Sequence, residues 1–295
     1  MNLVELNQKF SSDDQCREFL VRLRWPEGVT CPRCKGKTIS RLFNQHKFEC
    51  ASCQYQFSVT AGTIFNDSHL PLTIWFMATL LLCEAKKGMS AHQLKRTLFG
   101  LHKGSYKTAW YLCHRIRAAM VESQKPLMGG VVEIDETYVG GKPRKGRPRR
   151  EKDVVIGIRQ LCGELRMIHV DSATSEAIKK VMAENISEDV DVIITDESAI
   201  YPWAFTITQK DLHKTICHQR EYVSGDIHTN TVESAFSLLK RSIIGTWHKV
   251  SAKHLPAYLE EMCFRFNRRG NEALFVDTLR HMVTAPVLTF EKLTA

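Results

Sequence analysis

The sequence predicts an α/β layer architecture on a mixed sheet, preceded by a small cysteine ribbon and a helical segment. Three observations carry that expectation. Two Cys-x-x-Cys pairs, Cys31/Cys34 and Cys50/Cys53, stand fifteen residues apart. Apolar residues at helical spacing, broken by capping signals, run through residues 70–121. After Gly129-Gly130 the pattern changes to β, β, β, α, β and then helices, the order of a layered sheet with both parallel and antiparallel pairs.

Residues 1–28 read as an N-terminal helical segment. Ser12 suits a cap, Phe19, Leu20 and Leu23 form an apolar stripe, and Arg24-Trp25-Pro26-Glu27-Gly28 ends it. Residues 29–60 read as a zinc ribbon. The two cysteine pairs match the four-thiolate pattern that closes a tetrahedron around Zn²⁺, and so small a segment needs the metal to fold. A dithiol redox motif is the rival, and two pairs at ribbon spacing argue against it. The other six cysteines are scattered singly, as reduced core residues are.

Residues 66–125 read as a helix-turn-helix-like domain. One helix opens at Pro71 and ends by Gly88; a second opens on Ser90-Ala91-His92-Gln93 and ends at Gly100; a third runs from Ser105 to about residue 121. On the third, Ala109, Leu112, Cys113, Ile116 and Met120 form the apolar face, and Lys107, Tyr111, His114 and Arg115 share the other. That polar face either enters a DNA major groove or is the wet side of a helical connector.

Residues 129–270 read as the catalytic domain, and 271–295 as a C-terminal tail. Strands are expected at Val131–Val139, Asp153–Arg159, Glu164–Asp171 and Asp191–Thr195, with a helix at Ser175–Asn185. Between the first two strands lies a basic Pro/Gly loop holding Lys142, Arg144, Lys145, Arg147, Arg149 and Arg150.

Composition narrows the function. The longest apolar stretch, Ile74–Cys83, is far short of the roughly 20 residues a membrane span needs. The N-terminus has no basic segment leading into an apolar core, so a cytoplasmic location is expected. The formal charge is +9, concentrated at 142–152, at Arg115-Ile116-Arg117 and at 265–269. Such clusters favour a polyanion, because neutralising phosphates releases condensed counterions.

Three carboxylates complete the picture. Asp135 stands in Val131-Val132-Glu133-Ile134-Asp135, at the middle or end of its strand, and Asp196 closes Val192-Ile193-Ile194-Thr195-Asp196. A carboxylate at the exit of a buried strand is costly unless it is paired or bound to a cation. Glu233 shares a helix face with Asn230, Ser237 and Lys240, opposite Val232, Ala235, Phe236 and Leu239. Oxygen donors of this kind suit Mg²⁺ or Mn²⁺, and a lysine suits a phosphate.

Three blocks, Val-Val-Glu-Ile-Asp-Glu-Thr-Tyr-Val-Gly-Gly-Lys (131–142), Ile-Thr-Asp-Glu-Ser (194–198) and His-Thr-Asn-Thr-Val-Glu-Ser-Ala-Phe-Ser-Leu-Leu-Lys-Arg (228–241), resemble those of acidic-triad transposases of the bacterial insertion-sequence 1595 family. The resemblance covers about residues 10–270. It implies an RNase H-like catalytic fold with Asp135 and Asp196 as metal ligands. The third ligand is either Glu233 or Asn230, since part of the family uses Asn; a carboxylate binds Mg²⁺ better than an amide, which favours Glu233. It extends to Glu261, Arg265 and Arg268, which either contact phosphate or form an ordinary i,i+4 pair.

The implied function is a transposase that binds insertion-sequence ends in double-stranded DNA, hydrolyses a strand and joins the freed 3′-hydroxyl to target DNA. A homo-oligomer on DNA, associated with the nucleoid, is expected from the pairing of two ends. The alternatives are a zinc-ribbon DNA-binding regulator with an inactive catalytic domain and a nuclease that cuts without joining.

Overall fold

The computed structural model describes residues 1–122, 124–140, 152–198, 200–205, 210–216 and 229–295. The basic-loop residues Lys142, Arg144, Lys145, Arg147, Arg149 and Arg150 lie outside them. The chain divides into two units, one formed by 1–121 with 268–295 and the other by 122–267.

The first unit opens with two helices where one was expected, α1 (Leu3–Lys9) and α2 (Asp13–Arg24). Both begin on capping boxes. Asn2 accepts from Glu5 N and Ser12 accepts from Gln15 N, so each orphaned first turn is satisfied by its own sequence. The ribbon follows as antiparallel strands β1 (Ile39–Leu42), β2 (Lys47–Cys50) and β3 (Gln56–Phe57). Its small core is Cys31, Phe48, Cys50 and Phe57, with the Trp25 ring edge-on to both phenylalanines at 5.7 and 5.9 Å.

Three helices follow, α3 (Leu72–Glu84), α4 (Ala91–Phe99) and α5 (Tyr106–Ala119). Ser90 and Ser105 cap the second and third by accepting from Gln93 N and Lys107 N. The first is buried on nearly every side, through Leu72, Trp75, Phe76, Leu80 and Leu82 among others, which makes it the central helix of the unit.

Residues 271–295 are not a tail. They form α9 (Leu274–Thr284) and α10 (Phe290–Thr294). Leu274, Phe275, Thr278, Leu279, Met282 and Val283 are buried at helical spacing, and α9 packs against α2, α3 and α5. Phe275 meets Phe76 edge-on at 5.8 Å. The apolar period is visible in the sequence; what misled was its position beyond the expected end of the catalytic domain.

The second unit is built on a five-stranded sheet. Its strands are β4 (Met128–Val139), β5 (Asp153–Gln160), β6 (Leu165–Val170), β7 (Ile186–Asp196) and β8 (His213–Ile216), in the spatial order β6-β5-β4-β7-β8. β4 pairs antiparallel with β5 and parallel with β7, so the sheet is mixed, as expected. Alternate side chains feed two cores. Val132, Ile134, Ile156 and Ile158 pack on one face with Ile178, Val181 and Met182 of α6 (Ser175–Asn185). Val155, Leu165 and Met167 pack on the other with α7 (Asn230–Ser242) and α8 (Leu255–Asn267). Among the described residues no helix is long and apolar enough to cross a membrane.

Gly157 on β5 lets α7 lie close to the sheet. A Cβ there would stand 2.6 Å from Phe236 Cζ and 2.7 Å from Val232 Cγ2, contacts a rigid ring and a branched side chain relieve only by moving the helix. Gly157→Ala is therefore expected to destabilise this unit by about 1–3 kcal/mol in chemical denaturation, the usual cost of overpacking. Adding Phe236→Leu should recover part of that loss.

Candidate metal centre and active site

The four ribbon cysteines converge as their spacing suggested. Cys31 Sγ lies 3.7 Å from Cys53 Sγ and Cys34 Sγ 3.5 Å from Cys50 Sγ, and all four sulfurs fall within 4.8 Å of one another. A tetrahedron with Zn–S of about 2.3 Å has edges of about 3.8 Å, so the sulfurs already outline one. Desolvation opposes ionisation of Cys50, yet the backbone N–H of Cys53 and the thiol of Cys34 bring its pKa down to about 6. The backbone N–H of Tyr55 favours a Cys53 thiolate, but burial and the three neighbouring sulfurs push it up to about 12. Crowded thiolates of this kind are stable together only around a cation, and the donor set is that of structural zinc.

The acidic residues gather at one edge of the large sheet. Glu133 is level with Ile194 across the parallel β4–β7 pair. Two residues further on, continuing that register sets Asp135 beside Asp196 on the same face; Asp196 is the last residue of β7, while β4 runs on to Val139. That face carries α7, because Gly157, the partner of Asp135 on β5, lies under Val232 and Phe236.

The link between strand and helix is Glu133. Its side chain is 1% exposed. Oε2 accepts from Thr231 N at 3.1 Å, Thr231 Oγ1 at 2.7 Å and Val232 N at 3.0 Å. The carboxylate thus satisfies the orphaned donors of the first turn of α7 and meets the positive end of its dipole. It pins that turn over β4, and Glu233 sits in the same turn with Oε1 accepting from Thr229 Oγ1 at 3.2 Å.

Asp135, Asp196 and Glu233 are all half-buried. Asp135 Oδ1 accepts from Glu136 N at 2.8 Å and Asp196 Oδ1 from Ser198 N at 3.0 Å. Burial first, and then the charges of Glu136, Asp196 and Glu233, push the pKa of Asp135 up to about 7. Glu136 lies on the opposite parity and accepts from the hydroxyl of fully buried Tyr201 at 2.6 Å. Mutually repelling carboxylates fit a divalent cation, which relieves the repulsion. Among the described residues only the cysteine quartet brings three or more donors within 4.8 Å, so the acidic donors are spread more widely than around a single ion. Asn230 opens α7 half-buried, and Lys240, exposed, follows Glu233 by two turns, about 10 Å along the axis.

Other expected contacts sit elsewhere. His114 and Arg115 are 1% and 3% exposed, and the Tyr111 hydroxyl donates to the Leu288 carbonyl. The C-terminal segment thus meets Tyr111, while Arg115 lies against Asn66 and Trp75, so this face of α5 does not present the three side chains to a groove. The sequence looked like a wet face because arginine is mostly exposed in folded proteins and tyrosine and histidine often are. Lys107 stays exposed, with Nζ 4.2 Å from the Phe290 ring centre. Arg265 is 6% exposed and pairs with fully buried Glu261 at 3.1 Å, so it is an internal ion pair and not a phosphate contact. Arg268 is half-buried just past α8. Sequence reading missed the role of Glu133; the signal was its period-2 relation to Asp135, which places both on one face.

Three outcomes are expected. Cys31→Ser should lose its zinc in metal analysis and unfold the ribbon, as chelation should. Glu133→Ala should destabilise the second unit by about 1–3 kcal/mol in denaturation, the cost of orphaning buried donors. Because the folded pKa of Asp135 lies above its ordinary value, its ionisation costs stability as pH rises through about 4 to 7. Metal-free Asp135→Asn should therefore be more stable than the native chain at pH 8, by up to about 4 kcal/mol, and little different below about pH 4. Equal melting curves at pH 8 would contradict this.

Comparison with known proteins agrees with this arrangement. Residues 127–267 match the ISXO2-like transposase domain and residues 11–56 the transposase zinc-ribbon domain, both of the insertion-sequence 1595 group. An uncharacterized protein in transposable element ISH50 of Halobacterium salinarum is 29% identical over 294 residues, covering 90% of this chain and 95% of that one. A chain of a simian T-cell lymphotropic virus intasome, solved with PP2A regulatory subunit B56 gamma, matches 73% of this chain and 68% of its own at 14% identity. Its TM-score of 0.28 is too low to carry any argument. With the zinc ribbon and the transposase domain following one another in a single chain, the protein belongs to the insertion-sequence 1595 family of transposases.

Proposed function

We propose that this transposase binds the ends of an insertion element in double-stranded DNA, hydrolyses one strand there, and joins the freed 3′-hydroxyl to target DNA. The observation that carries the reading is the level register of Asp135 and Asp196 on adjoining parallel strands, with Glu233 near enough to raise the pKa of Asp135. In this reading the three carboxylates hold divalent cations, Mg²⁺ or Mn²⁺. Such ions, when bound, stabilise the attacking and leaving oxygens of an in-line displacement.

The chain's own residues do the rest. Asp135 and Asp196 would hold the cations at the sheet edge and so set where the reacting phosphate is received. Glu133 holds the first turn of α7, so that Glu233 is positioned before DNA arrives. Lys240 binds a neighbouring phosphate as a point charge. Arg268 and the basic residues from Lys142 to Arg150 supply positive charge that neutralises backbone phosphates. Glu233 is the third ligand in preference to Asn230, because its charge is felt at Asp135. Pairing of two element ends requires a homo-oligomer on DNA.

Purified protein with labelled element-end duplex and Mg²⁺ or Mn²⁺ tests the reading. Strand cleavage followed by joined product is expected. Asp196→Asn should lower both by roughly a thousandfold, the several kcal/mol that ion-held charge supplies. Glu233→Gln should do the same, while Asn230→Ala keeps most of the activity; the reverse order would make Asn230 the ligand. Cut product that is never joined would instead identify a nuclease.

A further inference from the structure

We propose that the first unit holds a pocket for one unpaired nucleotide, formed where α5 faces the C-terminal segment. The proposal rests on the reading of the chain as a DNA-acting protein and adds a second contact with the strand, within a unit that the catalytic residues do not belong to.

A cavity of about 480 Å³ opens there, within the roughly 300–1,000 Å³ of small-molecule sites. Its walls combine two chemistries. Trp75, Tyr111 and Phe290 supply aromatic surface, and the Tyr111 and Phe290 rings stand nearly perpendicular at 88°, 5.5 Å between centres, making an aromatic corner. Arg115 and Lys107 supply positive charge, against the single wall carboxylate of exposed Asp67.

Arg115 is the telling residue. It is 3% exposed and lies over the rings of Trp75 and Tyr111, 4.9 and 5.1 Å from their centres. Of the five N–H donors a guanidinium carries, one goes to the neutral carbonyl of Asn66. Nε has no hydrogen-bond partner among the described residues, and no ion pair forms. Desolvation lowers the pKa of this group and Tyr111 and Asp67 offset it only in part, so the fold holds a buried cation at a cost, with no anion paired to it. Lys107 stands at the exposed rim over Phe290.

A ligand that meets all of this needs a flat ring for the aromatic corner and an anion for the two cations. An apolar ligand leaves Arg115 unmatched, and a small carboxylate leaves the rings unused. A nucleobase joined to its phosphate satisfies both, and base–aromatic stacking tolerates any base. Two sources share that chemistry: an unpaired nucleotide in a DNA strand and a free mononucleotide. Lys107, Tyr111 and Arg115 were legible as part of a groove-facing surface, whereas Trp75 and Phe290 were not; the concave wall suits a base turned out of the duplex instead.

The test uses the full-length chain and two duplexes that differ only in one unpaired 2-aminopurine, with deoxyadenosine monophosphate as a separate probe. The bulged duplex is expected to bind roughly tenfold tighter than the paired one, with quenched 2-aminopurine emission. Phe290→Ala and Lys107→Ala, both at the rim and checked by melting temperature, should bring that ratio close to one. A ratio of one in the native chain, with monophosphate bound and lost in Lys107→Ala, would assign the pocket to a free nucleotide. No preference and no monophosphate binding would overturn the pocket, while binding of the paired duplex would leave the DNA reading standing. Monophosphate bound with neither duplex bound would do the opposite.

Discussion

The carboxylate of Glu133 against the first turn of α7 is the interaction on which the arrangement of the second unit depends. A buried acid on a central strand is unfavourable unless donors surround it. A helix N-terminus offers several at once, together with a favourable dipole. Each element relieves the liability of the other, and the geometry that results is restrictive. The helix crosses β4 at one height, and Gly157 leaves the room for it to do so. Asp135 and Glu233 then face the same space because each is two or fewer residues from an end of that contact.

The sheet edge beyond that contact is electrostatically unfavourable as it stands. Four acidic groups, Asp135, Glu136, Asp196 and Glu233, influence one another there, and the hydrogen bonds they accept from Glu136 N, Tyr201, Ser198 N and Thr229 Oγ1 all come from neutral donors. The ribbon shows the same logic with softer atoms: four sulfurs crowd into a tetrahedral outline. In both places the fold accepts repulsion that a cation removes. They differ in what surrounds them. The ribbon has almost no other core, so its donors decide whether it folds. The acidic edge stands on a sheet packed on both faces, so folding and ion binding are separable there.

Much of this was legible in the sequence because the signals were local. Cys-x-x-Cys spacing, the aspartates in apolar strands and the seven-residue step from Glu233 to Lys240 each report on a few neighbouring residues. The succession of strands along the chain and the mixed character of the sheet followed from the alternation of apolar runs; which strands adjoin, and the edge strand β8, did not. What was not legible depended on contacts distant along the chain. His114, Arg115 and Arg265 looked like DNA-facing cations until their burial by remote segments was seen. Arg265 is balanced by Glu261 one turn away, a spacing that is the same for an exposed pair and an internal one. The helical stripe in Leu274–Thr284 was periodic, but nothing local says which core a stripe will join.

That last helix has a consequence for how the protein comes into being. Its apolar side closes a core whose other walls, α2, α3 and α5, are made from the first 119 residues. During synthesis those walls emerge early and wait, incompletely covered, while the entire sheet unit is translated. The part of the molecule that is made first is therefore the last to be finished, and a ribosome that stops early leaves its oldest segment, not its newest, exposed to chaperones and proteases.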